Sequence, residues 1–269
     1  MKTIINKNIP LLQFENLSKF PEINHYITTR KGGISAEHLS SFNLGYTVND
    51  NPENVEKNRI ELVEELRILK NQLLFAKQSS EDKVIIVNEL HLPKFIGDIH
   101  EDLISVDAMI TDKKGIFLSI LTADCVPVLL FDKVKKVIAV SHAGWKGTVL
   151  KITQKTAIKM HEEFNCNYED FIVGIGPSIS PAVYEVGLNV INEFKQTFSN
   201  YEKILSPINS EKSLLNLWKA NEIQLTDLGV KIENIEISEI CTFSDSENFY
   251  SARKTNGKTG RFASGIMLK

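Results

Sequence analysis

Short runs of apolar residues recur along the chain, and polar residues, glycine or proline bound each run. Several runs are continuously apolar instead of alternating with polar residues, which is typical of strands that are covered on both faces. We predict strands of this kind at 83–89, 115–121, 126–131, 136–141, 171–176 and 234–240.

Apolar residues spaced three or four apart predict helices between these strands. The clearest helix follows a cap at Asp50 or Asn51, with Pro52 in its first turn, where proline is tolerated. Its apolar face consists of Val55, Ile60, Val63 and Leu66. Further helices are predicted at 148–164, 187–198 and 213–229.

The order of these elements favours a mixed α and β architecture. The strands at 126–131 and 136–141 form a close hairpin, whereas other strands are separated by helices, and this combination differs from a plain Rossmann alternation. No internal repeat or low-complexity linker divides the chain. We therefore expect an α+β fold and one domain that spans residues 1–269.

Composition and charge narrow the class of protein. A hydrophobic content of 42%, a charged content of 24% and a net charge of −3 are ordinary for a globular protein and give no reason to expect nucleic acid as a partner. No apolar run approaches the ~20 residues that span a bilayer, and the N-terminal segment lacks the apolar core of a signal peptide. These features predict a cytoplasmic protein without a membrane partner.

Candidate chemistry is concentrated at one end of the predicted hairpin. A turn centred at Lys133–Val134 places Cys125 opposite His142, although the turn lacks an Asn-Gly pair that would define the register to the residue. A thiol and an imidazole at that distance suit a shared zinc ion or a histidine-activated nucleophile. A buried cysteine beside a structural histidine is the plain alternative. Glycines flank the adjacent Trp145 and permit close approach to a ligand.

The remaining polar segments and cysteines allow both ligand-binding and structural interpretations. The turn in 174–187 has amides that suit an anion, and the tail gathers Arg253, Lys254, Lys258 and Arg261, either as a phosphate or carboxylate site or as a solvated loop. Three cysteines without a C-x-x-C pair indicate reduced thiols, and Cys166 is expected to be a small buried hydrophobe.

Taken together, these segments resemble one family. The matching stretches are TTRKGGIS, SSFNLG, NPENVEKNR, DAMITDKKGIFLSILTADCVPVLL, SHAGWKGT, GIGPSISPAVYEVG, CTFSDSENFYSARK and TGRFA, from about residue 25 to the end. They resemble the laccase-domain proteins, also called multicopper polyphenol oxidoreductases or peptidoglycan editing factors, which include human FAMIN. The resemblance implies a four-layer α/β/β/α sandwich with mixed sheets, related to the catalytic domain of cytotoxic necrotizing factor.

The resemblance also implies a function. It predicts a purine nucleoside phosphorylase that takes adenosine, inosine and methylthioadenosine with phosphate, and that also deaminates adenosine at a zinc-type pocket. Cys125 and His142 match the family's metal-binding and catalytic cysteine and histidine. The polar residues expected to bind substrate or support the pocket are Arg30, Asn43, Gln78, Asp124, Arg253 and Arg261.

The chain departs from the family pattern at the third metal ligand. The family has Q-x-H there, whereas this chain keeps Gln78 but has Ser80 at the histidine position. Because a serine hydroxyl is a poor zinc ligand, we expect zinc to be weakly held or absent. His91 cannot be aligned to the position without a gap. Lys146 also stands where arginine is usual, which keeps the charge but loses the bidentate fork.

Three alternatives remain open at this point. A polyphenol oxidoreductase with copper is one, but the six histidines contain no His-x-His pair, so only a single copper at Cys125 and His142 is plausible. A cysteine hydrolase that edits peptidoglycan precursors is the second, with His142 activating Cys125. The third is a metal-free protein that only binds nucleosides or a partner.

Overall fold

The computed structural model describes residues 1–5 and 7–269. Within these residues the helices are α1 (Pro52–Leu66), α2 (Trp145–Val149), α3 (Ile152–Phe164), α4 (Leu188–Thr197) and α5 (Leu217–Thr226). The strands are β1 (Lys2–Ile4), β2 (Leu11–Gln13), β3 (Ile23–Thr28), β4 (Leu73–Phe75), β5 (Val84–Ile86), β6 (Ala108–Thr111), β7 (Phe117–Thr122), β8 (Val126–Asp132), β9 (Val137–Ala143), β10 (Phe171–Ile175), β11 (Glu185–Gly187), β12 (Leu205–Pro207), β13 (Lys212–Leu215), β14 (Ile235–Ile237) and β15 (Phe262–Leu268).

The strands form two six-stranded mixed sheets and one small antiparallel sheet. The first sheet has the order β1-β2-β3-β15-β7-β4, and only its β4·β7 pair is parallel among the described pairs. The second sheet has the order β14-β10-β8-β9-β6-β5, with parallel pairs at both edges. The third sheet, β11-β13-β12, lies beside α4 along the chain. The predicted mixed α+β fold with mixed sheets is therefore confirmed.

Three apolar clusters fill the spaces between four layers. Neighbouring residues of one strand point to opposite faces, so Val128 packs against the helices on the outer face of the second sheet, while Leu129 packs against the first sheet. The third cluster joins α1 to the outer face of the first sheet through residues such as Leu62 and Phe117. The order of layers is α1, first sheet, second sheet, and the helices α3 to α5. No helix in the described part of the chain is long and apolar enough to cross a membrane.

The helix from residue 52 forms as the sequence predicts, because its cap is local. The Asn51 side chain accepts a hydrogen bond from the Glu53 amide at 3.0 Å, and Pro52 is the first helical residue. Arg67, with a φ of 56°, ends the helix in the left-handed conformation. The helix predicted at 187–198 also forms, as α4.

Two predicted helices need correction. The segment 148–164 is not one helix, since Lys151, with a φ of 61°, separates α2 from α3. The segment 213–229 begins as strand β13, and α5 starts only at Leu217, where the Asn216 side chain accepts a hydrogen bond from the Lys219 amide. Apolar spacing alone did not reveal the start of this segment as a strand, because pairing with β11 and β12 holds β13 extended.

The predicted register of the β8–β9 hairpin was wrong by two residues. His142 lies opposite Pro127, so Cys125 precedes β8 and is not the partner of His142. The turn is centred one residue later than expected, because Asp132 ends β8 and its carboxylate accepts hydrogen bonds from the Val134 and Lys135 amides, both at 2.8 Å. Lys136 completes the turn with a φ of 56°.

Candidate functional site

A hydrogen-bonded pair, His142 and Asp107, lies at the centre of the candidate site. His142 is the penultimate residue of β9, and Asp107 immediately precedes the neighbouring strand β6. The His142 Nδ1 donates to Asp107 Oδ1 at 2.7 Å, and the His142 amide donates to the Asp107 carbonyl at 2.8 Å. Both side chains are buried. Nδ1 is therefore committed, and Nε2 is the ring atom left for chemistry.

Asp107 also organises the loop that carries Ser80. Its carboxylate accepts hydrogen bonds from the amides of Ser79, Ser80 and Glu81 at 3.2, 3.0 and 2.9 Å, and from the Ser79 hydroxyl at 3.1 Å. Ser80 has a φ of 63° in this tight turn. One buried carboxylate thus fixes both the imidazole and the serine loop, and sequence reasoning did not single it out. The only signal was its place at the start of the stretch DAMIT.

The charges of this pair reinforce each other. Burial by itself lowers the pKa of His142, but the negative charge of Cys125 and the hydrogen bonds to Asp107 and Cys125 outweigh it and raise the pKa to about 10. Burial likewise raises the pKa of Asp107, but the hydrogen bond and charge of His142, with the loop amides, lower it to about 2. The pair is therefore an imidazolium and a carboxylate at neutral pH.

Cys125 reaches His142 from the bend before β8. The preceding residue, Asp124, has a φ of 87°, and its carboxylate accepts hydrogen bonds from the Thr242 hydroxyl at 2.6 Å, the Ser251 hydroxyl at 3.1 Å and the Arg253 amide at 2.7 Å. These bonds anchor the bend to the C-terminal segment. The thiol lies directly over Gly144, where an added Cβ would lie 2.9 Å from Sγ. Glycine at 144 therefore lets the cysteine approach β9 closely.

A cavity of about 460 Å³ opens above Cys125. Its walls include two cationic side chains, Lys146 and Arg253, and two aromatic side chains, Trp145 and Tyr184. The remaining lining residues are Ser79, Ser80, Ala123, Asp124, Cys125, Gly144, Ile179, Leu217 and Ala252. This volume lies within the range of ~300–1,000 Å³ that is usual for small-molecule pockets.

Four of the residues singled out from the sequence line this cavity: Ser80, Asp124, Cys125 and Arg253. His142 lies beneath it in contact with Cys125. Arg261 is partly buried behind the cavity and donates to the Thr259 and Gly260 carbonyls at 3.0 and 2.9 Å. Burial lowers the pKa of Arg261, while the charges of Cys125 and Asp124 oppose the shift, so this guanidinium lies within electrostatic range of the site.

The other three predicted substrate-binding residues make internal hydrogen bonds and do not line the cavity. Gln78 pairs twice with the Leu121 backbone, at 2.9 and 2.8 Å. Asn43 bonds to Gly45, Asp50 and the Arg261 amide. Arg30 donates to the Ser40 and Ser246 carbonyls and stacks on Tyr250. These contacts support the segments around the cavity.

The other two cysteines lie outside this pair. Cys166 is 1% exposed in the core, as expected of a small buried hydrophobe. Cys241 is half-buried, and its sulfur accepts a hydrogen bond from the Ser180 amide at 3.4 Å.

The donor set at Cys125 does not meet the needs of a tetrahedral zinc site. A catalytic zinc usually has three protein ligands, and here Cys125 Sγ and His142 Nε2 are the two strong ones. Over residues 1–5 and 7–269, no third histidine, cysteine or carboxylate completes a group of three with them. The group of three that the described residues do form contains His91, His100 and Asp102, which lie outside the cavity lining. Several clustered histidines, as a multi-copper centre requires, are likewise absent from the described cavity walls.

Comparison with known proteins identifies the family. Residues 24–269 match the family model described as multi-copper polyphenol oxidoreductase laccase. The chain belongs to this family. The resemblance noted from the motifs is thereby confirmed, and the family suggests metal binding without showing which metal.

Family members with assigned names include phosphorylases. The chain is 37% identical over 265 residues to the purine nucleoside phosphorylase of Bacteroides thetaiotaomicron, covering 98% of each chain. It is 34% identical to the purine nucleoside phosphorylase YlmD of Bacillus subtilis, covering 90% of this chain and 87% of the relative.

Solved structures of similar proteins share the fold. Bacillus licheniformis YfiH, described as a hypothetical protein, matches with a TM-score of 0.91 and 30% identity over 99% of each chain. YlmD from Geobacillus stearothermophilus matches with a TM-score of 0.91 and 26% identity over 100% of each chain.

Proposed function

We propose that this chain is a purine nucleoside phosphorylase that acts in the cytoplasm as one domain. The observation that carries the proposal is the cavity itself, in which two cationic and two aromatic side chains face Cys125 above the His142–Asp107 pair. Relatives at 34% and 37% identity carry the same name. Adenosine, inosine and methylthioadenosine are the proposed nucleosides, with adenosine deamination as an accompanying reaction.

The phosphate is assigned to the cationic side of the cavity. Arg253 Nη1 donates to the Glu185 carbonyl at 2.9 Å, and the guanidinium lies 4.8 Å from the centre of the Tyr184 ring. These contacts hold one edge of the guanidinium and leave other N–H groups for phosphate oxygens. The Lys146 ammonium lies 5.7 Å from the centre of the Trp145 ring and supplies the second positive charge.

The purine is assigned to the aromatic side. Trp145 and Tyr184 offer flat apolar surfaces to a base, and aromatic stacking is a common way to hold one. Burial raises the pKa of Tyr184 to about 12, so its hydroxyl stays protonated at neutral pH. It can therefore donate a hydrogen bond to a purine nitrogen or to the ribose.

Phosphorolysis needs an attacking oxygen and a proton for the leaving base. A phosphate oxygen forms a bond to C1′ of the ribose while the bond from C1′ to the purine nitrogen breaks, and the electron pair stays on the purine. The proton that the purine then takes up comes from the Cys125–His142 pair, whose imidazolium Asp107 stabilises. Asp107 is a positioning residue, because it acts on substrate only through His142.

Zinc has no assigned step in this scheme, because the donor set is one strong ligand short. We propose that the pocket at Cys125 and His142 holds zinc weakly or not at all. A single copper ion at Cys125 and His142 is the alternative metal, since copper binds such ligands more tightly than zinc does.

A second candidate, a cysteine hydrolase, has one specific observation in its favour. Cys125, His142 and Asp107 stand in the order of a nucleophile, a base and an orienting carboxylate. In that reaction the thiolate would attack a carbonyl carbon, and the departing group would take its proton from His142. Cys125→Ala should abolish this hydrolysis, and the hydrolysis should proceed without phosphate.

The deciding experiment is incubation with inosine, with and without phosphate, following hypoxanthine and ribose 1-phosphate. Phosphate-dependent release of both products supports the proposal. Arg253→Ala should weaken phosphate use, and Lys258→Ala is the matched control, because Lys258 is an exposed cation of the same segment outside the cavity. Absence of release from inosine, adenosine and methylthioadenosine by folded protein would overturn the phosphorylase.

A further inference from the structure

We infer that His91, His100 and Asp102 form a second metal site, which binds a zinc-class divalent ion apart from the Cys125 cavity. The three residues lie in the connection between β5 and β6, where His91 ends one short 3-10 turn and Asp102 lies in another. One potential ligand atom from each lies within 4.8 Å of the other two. The inference is independent of the proposed phosphorylase activity.

Two of the three distances between potential ligand atoms suit tetrahedral coordination. Ligands at ~2.0–2.1 Å from a tetrahedral ion lie about 3.3 Å from one another. His100 Nδ1 lies 3.4 Å from Asp102 Oδ2, and His91 Nε2 lies 3.7 Å from the same oxygen. The two rings lie edge to face, with an interplanar angle of 63° and centroids 5.2 Å apart. The ligand atoms of the two histidines lie within 4.8 Å of each other, so an ion would draw them together by up to about 1.5 Å, and His100 Nδ1 would exchange the 3.3 Å hydrogen bond that it accepts from the Asp102 amide for the metal.

His91 has the surroundings of a metal ligand. It is 8% exposed, and its Nδ1 lies 3.1 Å from Asn88 Oδ1. When Nε2 binds a metal, Nδ1 carries the ring proton and needs an acceptor, which the Asn88 amide oxygen provides. In this structure Nδ1 accepts a hydrogen bond from the Asn88 backbone N–H at 3.2 Å, and metal binding at Nε2 would exchange that bond for the one to the Asn88 side-chain oxygen.

The fold holds the two histidines in place before any ion arrives. Leu92 follows His91 and Ile99 precedes His100, and both pack against the apolar cluster between the two sheets. Preorganisation of this kind lowers the entropy that binding would otherwise cost.

The donor types select the ion. Two imidazoles and one carboxylate suit zinc, and also copper or nickel, whereas magnesium and calcium prefer oxygen ligands alone. Asp102 is exposed, so solvent supplies the fourth ligand. The bound ion would join both ends of the loop between His91 and His100, which exposes Phe95, and we expect it to order that loop.

Metal titration of the full chain after chelator treatment tests the inference. We expect about one equivalent of zinc retained after gel filtration, and at least a tenfold weaker affinity in His91→Asn, His100→Asn and Asp102→Asn. His38→Asn is the matched control, because His38 is an exposed histidine 3.9 Å from a carboxylate of Glu37. Asp102 is exposed, so its variant keeps the test decisive if a histidine variant fails to fold.

Cobalt distinguishes the two possible locations. At the proposed site cobalt gives ligand-field absorption without a thiolate-to-cobalt charge-transfer band, and Cys125→Ser leaves the spectrum and the stoichiometry unchanged. Zinc that is lost in Cys125→Ser but kept in His91→Asn and His100→Asn would overturn the inference. A parent chain that retains no zinc would overturn it as well, whatever its activity toward nucleosides.

Discussion

Asp107 Oδ1 accepts a 2.7 Å hydrogen bond from Nδ1 of His142, while the same carboxylate binds the amides of Ser79, Ser80 and Glu81. One buried side chain thus aligns the imidazole beneath the cavity and shapes the loop at its rim. Both the chemistry and the stability of the site depend on this carboxylate.

Replacement of Asp107 by asparagine should lower phosphorylase kcat by at least about 10–100-fold, the range seen when the carboxylate that orients a metal-binding histidine is lost. Nucleoside KM should change little, because Asp107 does not line the cavity. Loss of the carboxylate also lowers the pKa of His142, so the alkaline limb of the pH–rate profile should move to lower pH. An unchanged profile with reduced kcat would contradict the assigned role.

Replacement of Asp107 by alanine should also destabilise the fold, by about 3–5 kcal/mol, because it leaves a buried charged partner uncompensated. Chemical denaturation measures the free energy of unfolding. Ser79→Ala is the control, since it removes one 3.1 Å hydrogen bond to the same carboxylate and leaves the His142 bond intact.

Ser80→His should restore the family's third ligand and increase both bound zinc and phosphorolysis. Ser80 lines the cavity, and its φ of 63° is a conformation that histidine adopts more readily than most residues do. Ser79→His, which puts an imidazole one residue away, is the matched control. If the parent already holds a full equivalent of tightly bound zinc that Cys125→Ser removes, and Ser80→His improves neither quantity, the two-ligand interpretation is wrong.

Arg253→Ala should raise the KM for phosphate more than the KM for nucleoside, since its guanidinium is an exposed charge at the cavity wall. Loss of one charge-assisted contact of about 1.5–3 kcal/mol corresponds to roughly a 10–150-fold rise. Steady-state kinetics with each substrate varied in turn measure the two KM values separately.

Arg30→Ala and Asn43→Ala should instead lower the stability of the fold, because the polar atoms of these side chains bond internally. If the single alanine variants of Arg30, Asn43, Arg253 and Arg261 all keep the parent kinetics, the assignment of phosphate to the cationic side of the cavity is wrong.

Gly144→Ala should reduce activity by displacing Cys125. An added Cβ would lie 2.9 Å from Sγ, a contact that forces the thiol away from His142. Gly187→Ala is the control, because its added Cβ meets only Asn189 Oδ1 at 3.5 Å. Mass spectrometry measures the rate at which iodoacetamide alkylates Cys125. This rate should differ from the parent rate in Gly144→Ala and equal the parent rate in Gly187→Ala.

His25 should make the folded state less stable in mild acid. Burial lowers the pKa of His25 to about 4, and its Nε2 accepts a hydrogen bond from the Phe14 amide at 2.9 Å, which requires a neutral ring. Between pH 6.5 and about 4 the unfolded chain binds the extra proton, so stability falls as pH falls, by up to about 3 kcal/mol. His142 adds nothing in this window, because it is protonated in both states.

Denaturation of the parent and of His25→Gln at several pH values measures this effect. The difference in the free energy of unfolding between the two proteins should change across the window, whereas the carboxylates contribute equally to both. A difference that stays constant from pH 7 to pH 4 would show that His25 is not held neutral.

Local sequence signals were enough to predict some of the helices and strands. The Asn51–Pro52 start of α1 and the apolar strands β8, β9 and β10 follow from capping and from continuous apolar runs, because these depend on neighbours in the chain. The sequence correctly predicted that the Cys125 and His142 side chains lie close together, because both leave the same end of one hairpin. The predicted register of that hairpin was wrong by two residues.

Tertiary structure decided the rest. Asp107 meets His142 only because β6 pairs with β9, and Tyr184 and Arg253 reach the cavity from segments far apart in the sequence. The same is true of Asn43, which pairs with the Arg261 amide 218 positions away. The amino-acid pattern determines which residues are able to donate, accept or bind a metal. Which of them meet depends on the pairing of distant strands, because that pairing sets distances which no local spacing encodes.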